Sequence, residues 1–83
     1  MGESDFEAAV AAVNAVTRDP GNDVKLRLYA LYKQATQGDV AGKRPGFTNP
    51  VGRAKHDAWA ALAGMSRAEA EATYVAEARR LTS

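Results

Sequence analysis

The sequence predicts an all-α fold, a small four-helix bundle. Apolar residues return at intervals of three and four along four separate stretches. Clusters of Gly, Pro, Asn and Ser divide those stretches, and none alternates with the two-residue period of a strand. At 83 residues the chain has room for one core, so residues 1–83 are expected to form a single domain.

The first helix opens at Ser4-Asp5-Phe6-Glu7, where Ser4 is placed to cap and Glu7 to reach back. Phe6, Ala9, Val10 and Val13 then recur at helical spacing, carrying the helix to about Val16. Asp19-Pro20-Gly21-Asn22 breaks it, with Asn22 or Asp23 available to cap the next. The second helix runs from about Asp23 to Gln37, with Val24, Leu28, Leu31 and Ala35 as its core face, and Gly38 as a C′ residue in the left-handed conformation. Residues 39–50 hold two prolines and two glycines without periodicity, the longest loop. Asn49-Pro50 then gives a cap followed by proline at the first helical position, opening a third helix to about Ala63. Its inward residues are expected to be Ala54, Ala58, Ala61 and Leu62. Gly64 ends it, and Ser66-Arg67-Ala68-Glu69 is a second capping box, opening a last helix to about Leu81. Ala70, Tyr74, Val75, Ala78 and Leu81 are its apolar positions, and Arg79-Arg80 suits the negative end of its dipole.

The chain has no cysteine, which excludes disulfides and thiolate metal sites. His56 has no second histidine or cysteine with which to complete a metal site. No apolar run approaches the roughly 18 residues of a membrane span. The acidic start at Met1-Gly2-Glu3 lacks the basic and apolar regions of a secretory signal, and Phe6 stands where a myristoylation motif needs Ser or Thr. A cytoplasmic monomer is expected.

Charge is unevenly placed. From Lys25 to Lys55 there are seven basic residues against the single acid Asp39, a net +6, while the remainder carries −5. The central segment therefore favours an anionic partner. Within it, Tyr29, Tyr32 and Lys33 stand at i, i+3 and i+4, which puts two phenols and an ammonium on one helical stripe. That stripe suits a ligand with a flat ring and a phosphate. The same residues also fit half-buried core tyrosines beside a solvated lysine, and a basic segment with stacking aromatics fits single-stranded nucleic acid. Acidic flanking helices favour a compact anion over a long one. A helical module for a protein partner is the third reading. Catalysis is poorly provided for, with one histidine and no carboxylate pair on an apolar face.

Three motifs narrow these readings. Tyr32-Lys33-Gln34-Ala35-Thr36 is followed by Gly38-Asp39, then by Arg44-Pro45-Gly46, then by Ala54-Lys55 with Asp57-Ala58-Trp59. In order and spacing they resemble the acyl-CoA-binding protein family, over nearly the whole chain from Phe6 to Leu81. The resemblance implies that family's four-helix fold and a non-enzymatic carrier of medium- to long-chain acyl-CoA esters. Acyl-CoA is then the ligand, with no cofactor. The implied partners are acyl-CoA esters and the enzymes that use them, with no nucleic acid and no stable membrane insertion. By motif position, Lys33, Lys55 and Tyr29 correspond to residues that hold the 3′-phosphate. Tyr32 corresponds to the adenine-packing residue and Tyr74 to a nucleotide contact from the last helix. Phe6, Ala9, Val10, Lys25 and Leu26 correspond to the acyl groove or its border, and Trp59 to a packing residue. Asp57 reads as a structural ion pair or cap. The chain departs from the family at Asn14, where a basic residue near the phosphates is common, with Arg18 one turn on as a substitute. It departs also at Lys25, where an apolar residue is common, at His56 in place of an aromatic, and at Pro50-Val51.

Overall fold

The computed structural model describes residues 2–82, with side chains from Asp5 onward. The side-chain cap expected of Ser4 and any role of Met1 lie outside the described residues. Four helices follow in order: α1 (Gly2–Asn14), α2 (Asn22–Gln37), α3 (Pro50–Ala60) and α4 (Arg67–Thr82).

Two caps form as the sequence implies. Asn49 Oδ1 accepts from the Gly52 N–H at 3.1 Å with Pro50 opening α3. Ser66 Oγ accepts from Glu69 N at 3.1 Å while Glu69 Oε1 accepts from Ser66 N at 3.2 Å, a reciprocal box. α2 ends at Gln37 as expected, while other boundaries move. α1 begins at Gly2, so Ser4 is inside the helix, and it ends at Asn14 rather than Val16. Neither Asn22 nor Asp23 caps α2, because the cap position is Gly21, whose own N–H donates to Asp19 Oδ1 at 2.8 Å. α3 stops at Ala60, and residues 61–64 continue as tighter turns, with Leu62 N donating to Trp59 O and Ala63 N to Ala60 O. Gly38 follows α2 as its C-cap with a positive φ of 82°, which a β-carbon would disfavour, but its ψ of −153° takes it out of the left-handed helical conformation expected there, so the chain leaves the helix extended.

In space α4 lies against α1 and α2, and α2 lies against α3, so the lateral order is α1, α4, α2, α3. The backbones of α1 and α2, though consecutive, do not meet. The Cα atoms span only 36 × 29 × 14 Å, a slab little thicker than one helix with its side chains. Its core is accordingly a seam where Phe6 and Ala9 of α1, Leu28, Leu31 and Ala35 of α2, and Ala70, Tyr74 and Ala78 of α4 meet. Alanine on α4 lets the three helices approach closely. Glu77, mostly enclosed, ties α4 to α2 by accepting from Arg27 at 3.3 Å.

The third helix is different. No residue of α3 is buried; Ala54 and Ala58 are half-buried and Ala61, expected inward, is exposed. A single contact with α2 on the edge of a slab cannot enclose a small side chain. Polar bonds hold the helix instead. The Trp59 indole Nε1 donates to Gly38 O at 2.8 Å, and Arg44 grips Asp57 with two bonds of 2.6 and 2.8 Å. The buried Gln34 amide donates to Asp39 Oδ1 at 2.8 Å and to Met65 O at 2.9 Å, and the same Asp39 oxygen accepts from Gly64 N at 2.9 Å. Asp57 is thus the structural ion pair the sequence suggested.

Two predictions follow from this packing. Ala70 is fully enclosed, at 0% exposure. Ala70→Leu should therefore cost roughly 1–3 kcal/mol by overpacking, and lower the melting midpoint by roughly 5–20 °C, measurable by circular dichroism. Asp39 and Asp57 both titrate below the ordinary carboxylate value of 3.8. The Gly64 N–H and then the Gln34 amide lower Asp39, and Arg44 is the main cause at Asp57. A carboxyl lowered by folding contributes stability that is whole above its unfolded value and is lost as pH falls through the folded one. The melting midpoint should be level above about pH 5 and fall progressively below it. Asp39→Asn and Asp57→Asn should each lower the midpoint at neutral pH and make its acid decline shallower.

Candidate functional site

The separation of α1 from α2 leaves a cleft of about 650 Å³ between them. Val10, Val13 and Asn14 form one wall, Lys25, Leu28, Tyr29 and Tyr32 the other, and Tyr74 of α4 contributes to its lining. A second cleft of about 330 Å³ lies between the first turns of α2 and α3, walled by Leu26, Tyr29, Pro50, Val51, Ala54 and Lys55. Tyr29 and Lys25 line both. Of the predicted stripe on α2, Tyr29 thus stands between the two hollows, while Tyr32 faces the first alone.

The Tyr29 ring gathers cations from two helices. Lys33 Nζ, one turn along α2, stands 5.8 Å from its centroid, and Lys55 Nζ of α3 stands 5.2 Å from it. Lys33 Nζ is also 5.7 Å from the Trp59 ring. Among the described residues neither ammonium has a carboxylate partner; Asp39 is occupied by Gln34 and Gly64, and Asp57 by Arg44. Two cations held against one phenol with no counter-ion form a ready site for an anion.

The tyrosines divide. Tyr32 is 40% exposed, yet its inner edge stacks on Phe6, centroids 6.1 Å apart and planes 26° from parallel. Tyr74 is buried at 3% exposure and meets Phe6 edge to face at 5.2 Å. Phe6 thus joins α1 to α2 and α4 through rings where the α1 and α2 backbones do not touch. Burial, then the proximity of the Tyr32 hydroxyl, pushes the Tyr74 phenol above its ordinary 10.0.

Of the site residues read from the sequence, Tyr29, Lys33 and Lys55 come together, and Tyr32, Tyr74, Asn14 and Lys25 border the larger cleft. Ala9 does not border it. It is enclosed in the core at 8% exposure, because its face of α1 turns to α4. Arg18 lines the same cleft as Asn14, but its guanidinium donates to Leu81 O at 2.9 Å, so it partly serves the end of α4. Trp59 is half-buried at the α2–α3 seam rather than in the core.

One feature of the larger cleft had no reliable signal in the sequence. Lys25 Nζ pairs with Asp19 Oδ1 at 3.2 Å, and both residues line the larger cleft. Their meeting depends on the Asp19-to-Gly21 turn that starts α2, a geometry that spacing alone does not specify.

Comparison with known proteins agrees with this architecture. Residues 3–78 match the family described as Acyl CoA binding protein. Among solved structures, acyl-CoA-binding protein 2 of Oryza sativa is 40% identical with a TM-score of 0.93, covering 98% of this chain and 90% of that one. The acyl CoA binding protein of Babesia bovis is 43% identical with a TM-score of 0.84, covering 98% and 93%. Among curated proteins, enoyl-CoA delta isomerase 2 of Rattus norvegicus is 49% identical over 73 residues, which is 88% of this chain and 19% of that protein. Acyl-CoA-binding domain-containing protein 5 of Gallus gallus is 45% identical over 92% of this chain and 16% of its own length. The chain thus spans less than a fifth of these curated relatives.

The raised Tyr74 phenol can be checked by ultraviolet titration. Tyr74→Phe should remove an ionisation that lies above 10, and a lost component at or below 10 would contradict the desolvated placement. With four helices in this arrangement, this family match and these structural neighbours, the chain belongs to the acyl-CoA-binding protein family.

Proposed function

We propose that this chain is a non-enzymatic carrier of medium- to long-chain acyl-CoA esters. It would hold a membrane-active amphiphile in solution and pass it to acyl-using enzymes. The observation that carries the reading is the pair of ammoniums, Lys33 and Lys55, set on opposite sides of a helix seam against the Tyr29 ring with no carboxylate partner among the described residues. A 3′-phosphate taken up there would receive charge-assisted bonds from both α2 and α3. Tyr32, stacked on Phe6 behind and exposed in front, offers a face to the adenine, and Tyr74 borders the same cleft.

The acyl chain would then lie in the apolar hollows beside Tyr29. Each methylene withdrawn from water favours binding by about 0.8 kcal/mol, so a long ester should bind far more tightly than CoA alone. Lys25 shapes this groove. Where the resemblance leads to an apolar side chain, this protein has a lysine paired with Asp19 in the lining of the larger cleft. Asn14 on the opposite wall supplies a neutral amide in place of a cation. These exchanges alter affinity and chain-length preference within one ligand class.

Titration calorimetry with palmitoyl-CoA below its micelle concentration, alongside CoA and palmitate alone, tests the reading. One-to-one binding of the ester with much weaker binding of both fragments is expected; heat from neither ester nor CoA would refute it. Lys33→Ala and Lys55→Ala should each weaken binding by roughly 1.5–3 kcal/mol, by the same factor for C8, C12 and C16 esters. Val10→Ala should instead change the ranking among those esters. Unchanged affinity in Lys33→Ala would remove the phosphate role given to that residue.

A further inference from the structure

The end of the α2–α3 loop and the first turn of α3 present an apolar tip that the core does not use. Phe47 is 82% exposed and Val51 is 65% exposed, the two most exposed large apolar side chains described. The tip is an ordered turn. Asn49 N donates to Gly46 O at 3.0 Å, and Asn49 Oδ1 in turn receives the Gly52 N–H. Several of the turn's polar groups are therefore already partnered, which suits a segment that has to enter a less polar medium. An exposed phenylalanine held on a firm turn loses little conformational freedom on docking.

The surroundings of the tip are basic. Between residues 40 and 56 the sequence carries Lys43, Arg44, Arg53 and Lys55 and no acid. Arg44 is balanced by Asp57, which leaves Lys43, Arg53 and Lys55 as cations with no carboxylate partner among the described residues; Asp39, at the far end of the stretch, is turned to the Gln34 amide and the Gly64 N–H. An apolar tip set in a cationic surround is the chemistry of a segment that lies on a negatively charged lipid surface. A protein partner would more often meet a broad apolar patch, whereas here the exposed apolar part is confined to Phe47 and Val51, with cations on either side of it in sequence.

We propose that the Phe47–Val51 tip docks this protein reversibly on anionic bilayers, with the phenylalanine ring entering the headgroup boundary. Val51 also lines the smaller cleft beside Tyr29 and Lys55. Docking therefore sets the mouth of a candidate acyl site against the membrane, where an acyl ester resides. That last consequence rests on the carrier reading; the docking itself does not.

Co-sedimentation of ligand-free protein with vesicles tests it. The arms are phosphatidylcholine alone and phosphatidylcholine mixed with phosphatidylglycerol, each at low and high salt. The protein should sediment with the mixed vesicles, far less with the neutral ones, and be released by salt. Phe47→Ser should lower partitioning roughly tenfold, the scale of one phenylalanine withdrawn from water, with palmitoyl-CoA affinity unchanged. No sedimentation with anionic vesicles, equal sedimentation with neutral ones, or indifference to Phe47→Ser would each overturn the proposal. Because the vesicle arms contain no ester, failure of the calorimetry would sink the carrier reading separately.

Discussion

The arrangement depends on how α3 is held. Three helices of this protein share a seam of side chains, and the hydrophobic effect is enough to place them. The third shares none of it and is fixed by polar bonds: Trp59 to the Gly38 carbonyl, Arg44 to Asp57, and the Gln34–Asp39–Gly64 cluster that ties the α3–α4 turn to the end of α2. Such bonds are directional, so they set orientation more sharply than apolar contact would. Lys55 rides on that helix and Lys33 on α2. The polar fastening is what brings two ammoniums to one ring.

The flatness of the molecule has the same origin as its clefts. A bundle whose lateral order is α1, α4, α2, α3 leaves α1 and α2 adjacent to a common partner without touching backbones. Rings fill part of the gap, with Phe6 reaching Tyr32 and Tyr74, and the remainder is the larger hollow. A tighter four-helix packing would have buried more area and removed the hollow. The small alanine-rich core and the open groove are two aspects of one arrangement.

Much of this was legible in the sequence, and the reasons differ by element. Helices α2 and α4 announced themselves through period and punctuation, because the Ser66 box and the glycine stop at Gly38 are local chemistry. The cap of α2 was misplaced because Asp19 claims the Gly21 N–H, a competition within a turn that residue type alone does not resolve. The inward face of α3 was overestimated because helical periodicity reports which side is apolar, not whether anything covers it. At the site, the stripe of Tyr29, Tyr32 and Lys33 was readable from spacing, and motif position added Lys55 from another helix. Ala9 was assigned to the groove through resemblance; its face of α1 turns to α4. The Lys25–Asp19 pair depends on the conformation of the turn before α2, which residue type alone does not specify.

The same logic bears on how ligand and fold interact. Lys33 and Lys55 are like charges gathered at one ring without a carboxylate between them, a placement that costs the free protein repulsion. Their attraction to the faces of Tyr29 and Trp59 offsets part of that cost without neutralising it. A phosphate bound by both would turn the repulsion into a bridge between α2 and α3. The seam to which α3 brings no buried residue would then gain a charged clasp. Binding energy at that position would appear in two places, as affinity and as resistance of α3 to separation from α2, since any ligand that prefers the folded form stabilises it by mass action. A site assembled across the least buried seam of a small domain is thus coupled to folding by construction.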